Sequence, residues 1–340
     1  MGSIDGGPPA ERPKRGVRDV DVWVEPWVAL VVATGLTVVA YLALCAALYD
    51  RITRVPAASP FRDPPNTPAR FAAAEVDVRP YLMPDYDEVG FPDRTGAVGI
   101  AAWWVPVEGQ PDAPAVVVVH GFTASRGDGS VLLAAGMLHR NGFACLIIDL
   151  RNHGDSGRSG GRHTGGIRES ADVLGAWDWL VLGRHLPSEQ IGLLGISLGA
   201  ASVVIAAGDE PKVAAVWSDS SYGELDDATR AELRRNHLPG FLLPGGRLIA
   251  RLLDGPGLQD TSPVLAVRRL DGRALFVTHG TDDDRLDARF ADQLALAGVA
   301  SGARVETWVV PGSGHASAIV DRPAEYEQRL VDFFDRALRT

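Results

Sequence analysis

Residues 191–207 read IGLLGISLGAASVVIAA, and this stretch decides the fold. Ile191 to Ile196 form a short apolar run of the kind a fully buried strand shows. Leu198 to Ala207 are small or apolar without proline, a helix able to pack closely on its neighbours. Between them Gly195-Ile196-Ser197-Leu198-Gly199 matches G-x-S-x-G. Alone the match carries little weight. At the junction of a strand and a helix it has a mechanical reading: a tight turn exposes the serine hydroxyl, and small residues let strand and helix approach. Ser197 is therefore the candidate nucleophile.

The same alternation continues on both sides. Ala115–Val119 (AVVVV) and Ala144–Asp149 (ACLIID) read as buried strands, followed by helical patterns near Val131–Arg140 and Ser170–Leu182. Further strands are expected at Val213–Trp217, Ala274–Thr278 and Val305–Val310, with helices at Asp287–Ala297 and from Ala324. Val76–Arg79 and Val98–Val105 suggest an opening hairpin. Continuous apolar runs alternating with amphipathic helices indicate a mostly parallel sheet covered on both faces. The rhythm breaks between Asp219 and Arg273, a polar, partly helical stretch interrupted by Pro239, Pro244, Pro256 and Pro263. Its central part, about 221–262, reads as a lid.

A serine hydroxyl needs a base to remove its proton. Partners of such an elbow follow in chain order serine, acid, histidine. Of His237, His279 and His315, only His315 also follows an acid placed after the next core strand; it sits in the small-residue loop PGSGHA (311–316). The acid should come from HGTDDDR (279–285). Spacing alone does not choose among Asp282, Asp283 and Asp284, since spare aspartates cap helices or bond turn amides.

Five motifs now stand in one order: His120-Gly121-Phe122 after a buried strand, DLRNHGDS (149–156) after the next, the elbow at Ser197, HGTDDDR, and Gly314-His315. With them the sequence resembles the α/β-hydrolase superfamily, within the serine hydrolases that include prolyl-oligopeptidase-like and Bem46-like members. The resemblance covers roughly Ala74 to Arg339. It implies an α/β-hydrolase fold, a mostly parallel eight-stranded sheet with helices on both faces and a short lid insertion. Matching HG-x-x-D places the acid on Asp283, with Asp284 a common companion and Asp219, in WSDSS, the position used when the acid lies one strand earlier. It also implies an oxyanion hole from the backbone N–H groups of Phe122 and Leu198. His120, His153 and Asp155 read as structural hydrogen-bonding residues.

Composition sets the bounds. With 340 residues, 46% hydrophobic and 22% charged, the chain has material for a large core. A net charge of −10 argues against nucleic acid as a partner. Cys45 and Cys145 lie in an apolar run and a core strand, so no bridge is expected. The eight histidines lack zinc-like spacing, and no G-x-G-x-x-G or P-loop occurs, so neither metal nor cofactor is expected.

Residues 1–26 read as a polar tail. Trp27 to Leu48 follow without a charge, and at ~1.5 Å per residue such a helix crosses a hydrocarbon core about 30 Å thick. Trp23, Trp27, Tyr41 and Tyr49 lie in or near it, the outer ones suiting the interfaces. A single-pass anchor over 27–48 is expected. Arg12, Lys14, Arg15 and Arg18 upstream against Arg51, Arg54 and Arg62 downstream do not set its orientation. Residues 49–73, containing VPAASPFRDPPNTPAR, read as a linker to a catalytic domain over 74–340.

The functional expectation is a membrane-anchored serine hydrolase cleaving carboxylic esters through a Ser-Asp-His triad and an acyl-enzyme. Its expected partners are a small-molecule ester and the lipid bilayer. The apolar lid pieces around Leu238–Gly246 and Arg247–Leu253 suit acyl or lipid-like groups. The alternative, a serine peptidase or amidase, needs carboxylates for an ammonium group, and Glu224, Asp226 and Asp227 stand in the lid.

Overall fold

The computed structural model describes residues 25–56, 66–255 and 260–339, together with Gly2 and Gly7. The expected tail, but for Gly2, Gly7, Glu25 and Pro26, lies outside the described residues, as do residues 57–65 of the expected linker. Two compact units divide the chain: one runs to Ala43, the other begins at Leu44. A single helix, α1 (Pro26–Thr53), continues from the first into the second. Among the described residues it alone is long and apolar enough to cross a membrane.

In the second unit the strands are β1 (Asp87–Pro92), β2 (Gly99–Val105), β3 (Ala115–Val119), β4 (Ala144–Ile148), β5 (Ile191–Ile196), β6 (Ala215–Asp219), β7 (Ala274–Gly280) and β8 (Arg304–Val310). They form one sheet in the order β1-β2-β4-β3-β5-β6-β7-β8. The pairs β1–β2 and β2–β4 are antiparallel; the remaining pairs are parallel. The helices are α2 (Gly129–Arg140), α3 (Glu169–Asp178), α4 (Leu198–Asp209), α5 (Leu225–Arg235), α6 (Leu242–Asp254), α7 (Pro263–Val267), α8 (Arg289–Ala300), α9 (Ala318–Asp321) and α10 (Pro323–Leu338). The segment expected as a lid holds α5 and α6.

Side-chain alternation along a strand distributes the core over two faces. On β3, Ala115, Val117 and Val119 join one apolar cluster with Val173 and Val204 of α3 and α4. Val116 and Val118 join the other, with Leu132 of α2 and Phe333 of α10. All five β3 residues are fully buried, which is why the strand reads as an unbroken apolar run. The second cluster centres on aromatic rings: Trp217 stacks on Phe276 at 3.9 Å, with Phe333 edge-on to both.

Two boundaries differ from the sequence reading. The opening hairpin pairs Asp87–Pro92, not Val76–Arg79, with β2. Arg79 bonds Asp77 locally and Pro80, which has no N–H to give a ladder, sits in a single tight helical turn over Arg79–Tyr81. And α1 outlasts the uncharged run, because Thr53 Oγ1 returns to the Tyr49 carbonyl at 2.6 Å and Asp50 pairs with Arg54 one turn on. Residues 49–53, expected in a linker, are helical. The chain then continues into backbone bonds from Val55 N to Gly161 O and from His163 N to Thr53 O, both 2.9 Å. Downstream, Phe71 is buried in the second cluster, so that part of the expected linker also belongs to the second unit.

Phe333 is 1% exposed at the centre of the aromatic cluster. Phe333→Ala is expected to cost about 3–5 kcal/mol through lost burial and the residual cavity. Chemical denaturation of the two proteins in the same detergent checks this; a loss under 1 kcal/mol contradicts the packing described.

Candidate active site

The elbow works by steric exclusion. A side chain at Gly195 would sit 2.2 Å from the Gly199 carbonyl oxygen, and one at Gly199 would sit 2.4 Å from that of Val119. Only glycine lets β5, α4 and the end of β3 approach this closely. Ser197 at the apex has φ 55° and ψ −113°, a left-handed conformation costing of order 1–3 kcal/mol for a residue with a Cβ. The turn is held by Ser197 N donating to Asp219 O at 2.8 Å. Thr123, Ser220 and Ala316, each beside a site residue, also have φ between 54° and 65°.

The structure brings Ser197, His315 and Asp283 into one hydrogen-bonded chain. Ser197 Oγ donates to His315 Nε2 at 2.8 Å, and His315 Nδ1 donates to Asp283 Oδ2 at 2.7 Å. The Ser197 residue is half-buried, His315 is partly exposed, and the Asp283 side chain is fully buried. Of the three adjacent aspartates Asp283 turns inward, while Asp282 and Asp284 are exposed. Asp283 Oδ1 accepts from the amides of Arg285 and Leu286 at 2.9 and 2.8 Å.

Asp283 has a second imidazole neighbour that sequence reading left unused. His279 Nε2 lies 3.0 Å from Asp283 Oδ2 and 2.8 Å from Leu286 O. Burial pushes the Asp283 carboxyl up, but hydrogen bonds from His279 and His315 prevail and hold it well below the usual carboxylate range. For His279, burial acts downward and the contact with Asp283 outweighs it, giving a net upward shift. Asp219, the other candidate acid, accepts from Tyr326 Oη and Ser220 Oγ, both at 2.9 Å. Its role there is architectural: Ser220 Oγ in turn accepts from Ala316 N at 3.0 Å, tying β6 to the His315 loop.

His120 orients the expected oxyanion donor without touching the serine. Leu150 N donates to His120 Nε2 at 3.0 Å, so the ring proton sits on Nδ1 and is donated to Gly121 O at 2.7 Å. Full burial, with His153 beside it, pushes this imidazole down to about 3, so it stays neutral. The Phe122 N–H belongs to the same trans peptide as the Gly121 carbonyl and points the opposite way. The Leu198 N–H opens α4, where the first amides have no intrahelical acceptor and carry the positive end of the helix dipole. The loop after β4 is held by its own groups and by the loop after β3: Asp149 accepts from Arg126 N and Asp155 N at 2.7 and 2.9 Å, and Ser156 Oγ donates back to Asp149 O at 2.7 Å. His153 bonds within the same loop, to Arg151 O.

Ser197 faces a cavity of about 760 Å³. One wall is the lid, with Leu225, Leu233, Leu242, Leu243 and Ala250. Another is the end of α1, through Cys45, Leu48, Tyr49, Ile52 and Thr53. Sequence reading missed this second wall entirely. Polar contacts fasten it: Tyr49 Oη donates to Asp254 Oδ2 at 2.6 Å, Arg162 reaches Asp50 at 2.8 Å, and the His163 ring, packed 4.4 Å from Phe122, lies 3.2 Å from Ile52 O. Glu224, Asp226 and Asp227 also line the cavity, and Asp226 is ion-paired with Arg247. Among the described residues, no group of three or more His, Cys, Asp or Glu side chains is arranged to hold a metal ion.

Known proteins resemble parts of this chain. A family model for the alpha/beta hydrolase fold matches residues 114–254. An uncharacterized 31.7 kDa Escherichia coli protein is 28% identical over 152 residues, 44% of this chain and 52% of that protein. The chain thus spans about half the length of this relative. The thiohydrolase aneE of Aspergillus aculeatus is 29% identical over 110 residues, 32% of this chain and 34% of that one. The structure of the Pyrococcus furiosus esterase Pf2001 superposes with a TM-score of 0.61 at 20% identity, covering 79% of this chain and 99% of the esterase. The chain has the alpha/beta hydrolase fold, with eight strands in a mostly parallel sheet.

A carboxyl depressed in the folded state takes up its proton later than it does in the unfolded chain. Its stabilising contribution is complete above its ordinary value of 3.8 and is lost as pH falls through the lower folded value. The Tm advantage of the parent over Asp283→Asn should therefore be full at pH 7 and shrink below pH 3.8. Thermal unfolding from pH 7 to pH 3 checks this, and an advantage that grows on acidification refutes it.

Proposed function

We propose that the protein is a serine hydrolase that cleaves carboxylic esters, with Ser197 as nucleophile, His315 as general base and acid, and Asp283 as the group that orients the imidazole. The observation that carries this reading is the continuous hydrogen-bonded chain from Ser197 through His315 to a buried Asp283, opening on a cavity with apolar walls. Ser197 Oγ passes its proton to His315 Nε2 and attacks the ester carbonyl carbon. Phe122 and Leu198 N–H stabilise the oxyanion, each donor worth roughly 10²–10³ in rate. As the carbonyl re-forms, the bond to the leaving oxygen breaks and His315 returns the proton to it. Water, deprotonated by His315, then attacks the acyl-enzyme; Ser197 leaves with that proton, releasing the acid. The ionised Asp283 holds the His315 tautomer and stabilises the imidazolium in both halves.

We read α1 as a single-pass membrane anchor. Its length and composition suit a bilayer. Its last residues also wall the cavity and are bonded to the 161–163 segment, which speaks against a leader removed after targeting. The apolar side chains that α6 and the end of α1 turn into the cavity, Leu242, Leu243, Cys45, Leu48 and Ile52, favour an acyl group there. The ion pair of Asp226 with Arg247 withdraws one of the three lid acids that an amidase would turn toward a substrate ammonium.

The test uses the full chain in detergent, since cutting before Val55 removes the wall formed by Cys45, Leu48, Tyr49 and Ile52. Turnover of p-nitrophenyl esters of rising acyl length is measured beside Ser197→Ala. The parent should hydrolyse them and prefer longer chains, and the variant should lose on the order of 10⁶ in turnover. Equal inactivity of both on every ester, with cleavage of aminoacyl amides by the parent alone, would replace the esterase by a peptidase.

A further inference from the structure

The lid helix α6 carries apolar side chains on two sides. Leu242, Leu243 and Ile249 are buried inward. Leu248 and Leu252, one turn apart on a separate stripe, are 44% and 71% exposed. Its lid neighbour α5 exposes charged residues instead, such as Arg230 and Arg234. An amphipathic helix of a soluble domain keeps one apolar stripe, so a second one calls for an apolar partner.

The chain itself identifies that partner. Cys45 is 1% exposed and its Sγ donates to the Leu242 carbonyl oxygen, so α1 touches α6 at the start of that helix. Leu44, its immediate predecessor, is 54% exposed and belongs to the run read above as membrane-spanning. Connectivity therefore leaves the C-terminal end of that run, at the Ala43–Leu44 junction, beside the start of α6.

We propose that the outer face of α6, through Leu248 and Leu252, lies in the bilayer interface, and that the cavity receives its ester from the lipid phase. The proposal rests on the anchor and ester readings above. Arg251, exposed on the flank of this stripe, reaches the headgroup layer as its aliphatic stem covers apolar surface. The inner sides of the same two helices wall the cavity, through Leu48 and Ile52 of α1 and Leu243 and Ala250 of α6. Lipid and nucleophile are then separated by one helix layer, and an acyl chain enters without crossing water. The substrate class that follows is a bilayer-resident ester with its carbonyl near the headgroup level.

The experiment reconstitutes the full chain in phosphatidylcholine vesicles with brominated acyl chains. A single cysteine at Leu252 carries an environment-sensitive fluorophore; native Cys45 and Cys145 are 1% and 0% exposed and escape labelling. Leu296 of α8, also 71% exposed, serves as the control position. The expected result is quenching at position 252 and none at 296. In parallel, Leu248→Glu/Leu252→Glu should keep the parent's rate on water-soluble p-nitrophenyl acetate and lose about tenfold or more on a long-chain ester embedded in vesicles, as two interfacial leucines are withdrawn. No quenching at 252 overturns the proposal, and a disulfide dimer through Leu252→Cys would assign the face to a second copy instead. If no ester is cleaved while 252 is quenched, the ester reading fails and the interface stands.

Discussion

The close approach of three backbones underlies everything at this site. β5 ends, α4 begins and β3 passes beside them at distances that exclude even a methyl group at positions 195 and 199. That contact forces Ser197 into a positive φ and projects its hydroxyl out of the sheet edge. A strained conformation survives only where its surroundings over-determine it. Here the fully buried strands on either side do so, and the Ser197 amide is locked to Asp219 in the neighbouring strand. The core is therefore the support against which the strain is held.

From that apex the other components are placed by loops at one end of the parallel strands, where an α/β sheet leaves its ligand crevice. The loop after β7 holds Asp283 by two backbone amides and a histidine; the loop after β8 holds His315 through Ala316 N and the Ser220 hydroxyl. Each side chain thus has its orientation fixed by a bond outside the three-residue chain. Asp283 stays ionised because three sources of hydrogen bonds oppose its burial. A lone aspartate so deeply buried would instead bind a proton and leave the imidazole without its anionic partner.

Much of this was legible in the sequence. Strands buried on both faces leave continuous apolar runs, so β3, β4, β5 and β7 stand out, and glycine at 195 and 199 marks the elbow because no other residue fits. Other features were not. β1 is an edge strand with charged and glycine residues, DEVGFP, whose pattern carries no apolar run. Spacing alone did not choose among Asp282, Asp283 and Asp284; the likeness of HGTDDDR to HG-x-x-D pointed to Asp283, the aspartate that turns toward His279 and the Leu286 amide. The uncharged run announced a helix but not that its end walls a cavity, because Cys45 and Leu48 look the same in sequence whatever they face.

That wall has a structural consequence. The part of α1 that belongs to the second unit, from Leu44 to Thr53, is fixed to the 161–163 segment. Its last turns are held by Tyr49 on Asp254, at the end of α6, and by Asp50 on Arg162. These bonds join the two walls of the cavity to each other as well as to the rest of the second unit. Moving the lid away from α1 would break the Tyr49–Asp254 bond and expose Cys45 together with the leucines of the inner face. Cavity width is therefore set by the packing of α1 on α6, and the side chains at positions 45, 48, 49 and 52 determine pocket shape as directly as any residue of the lid.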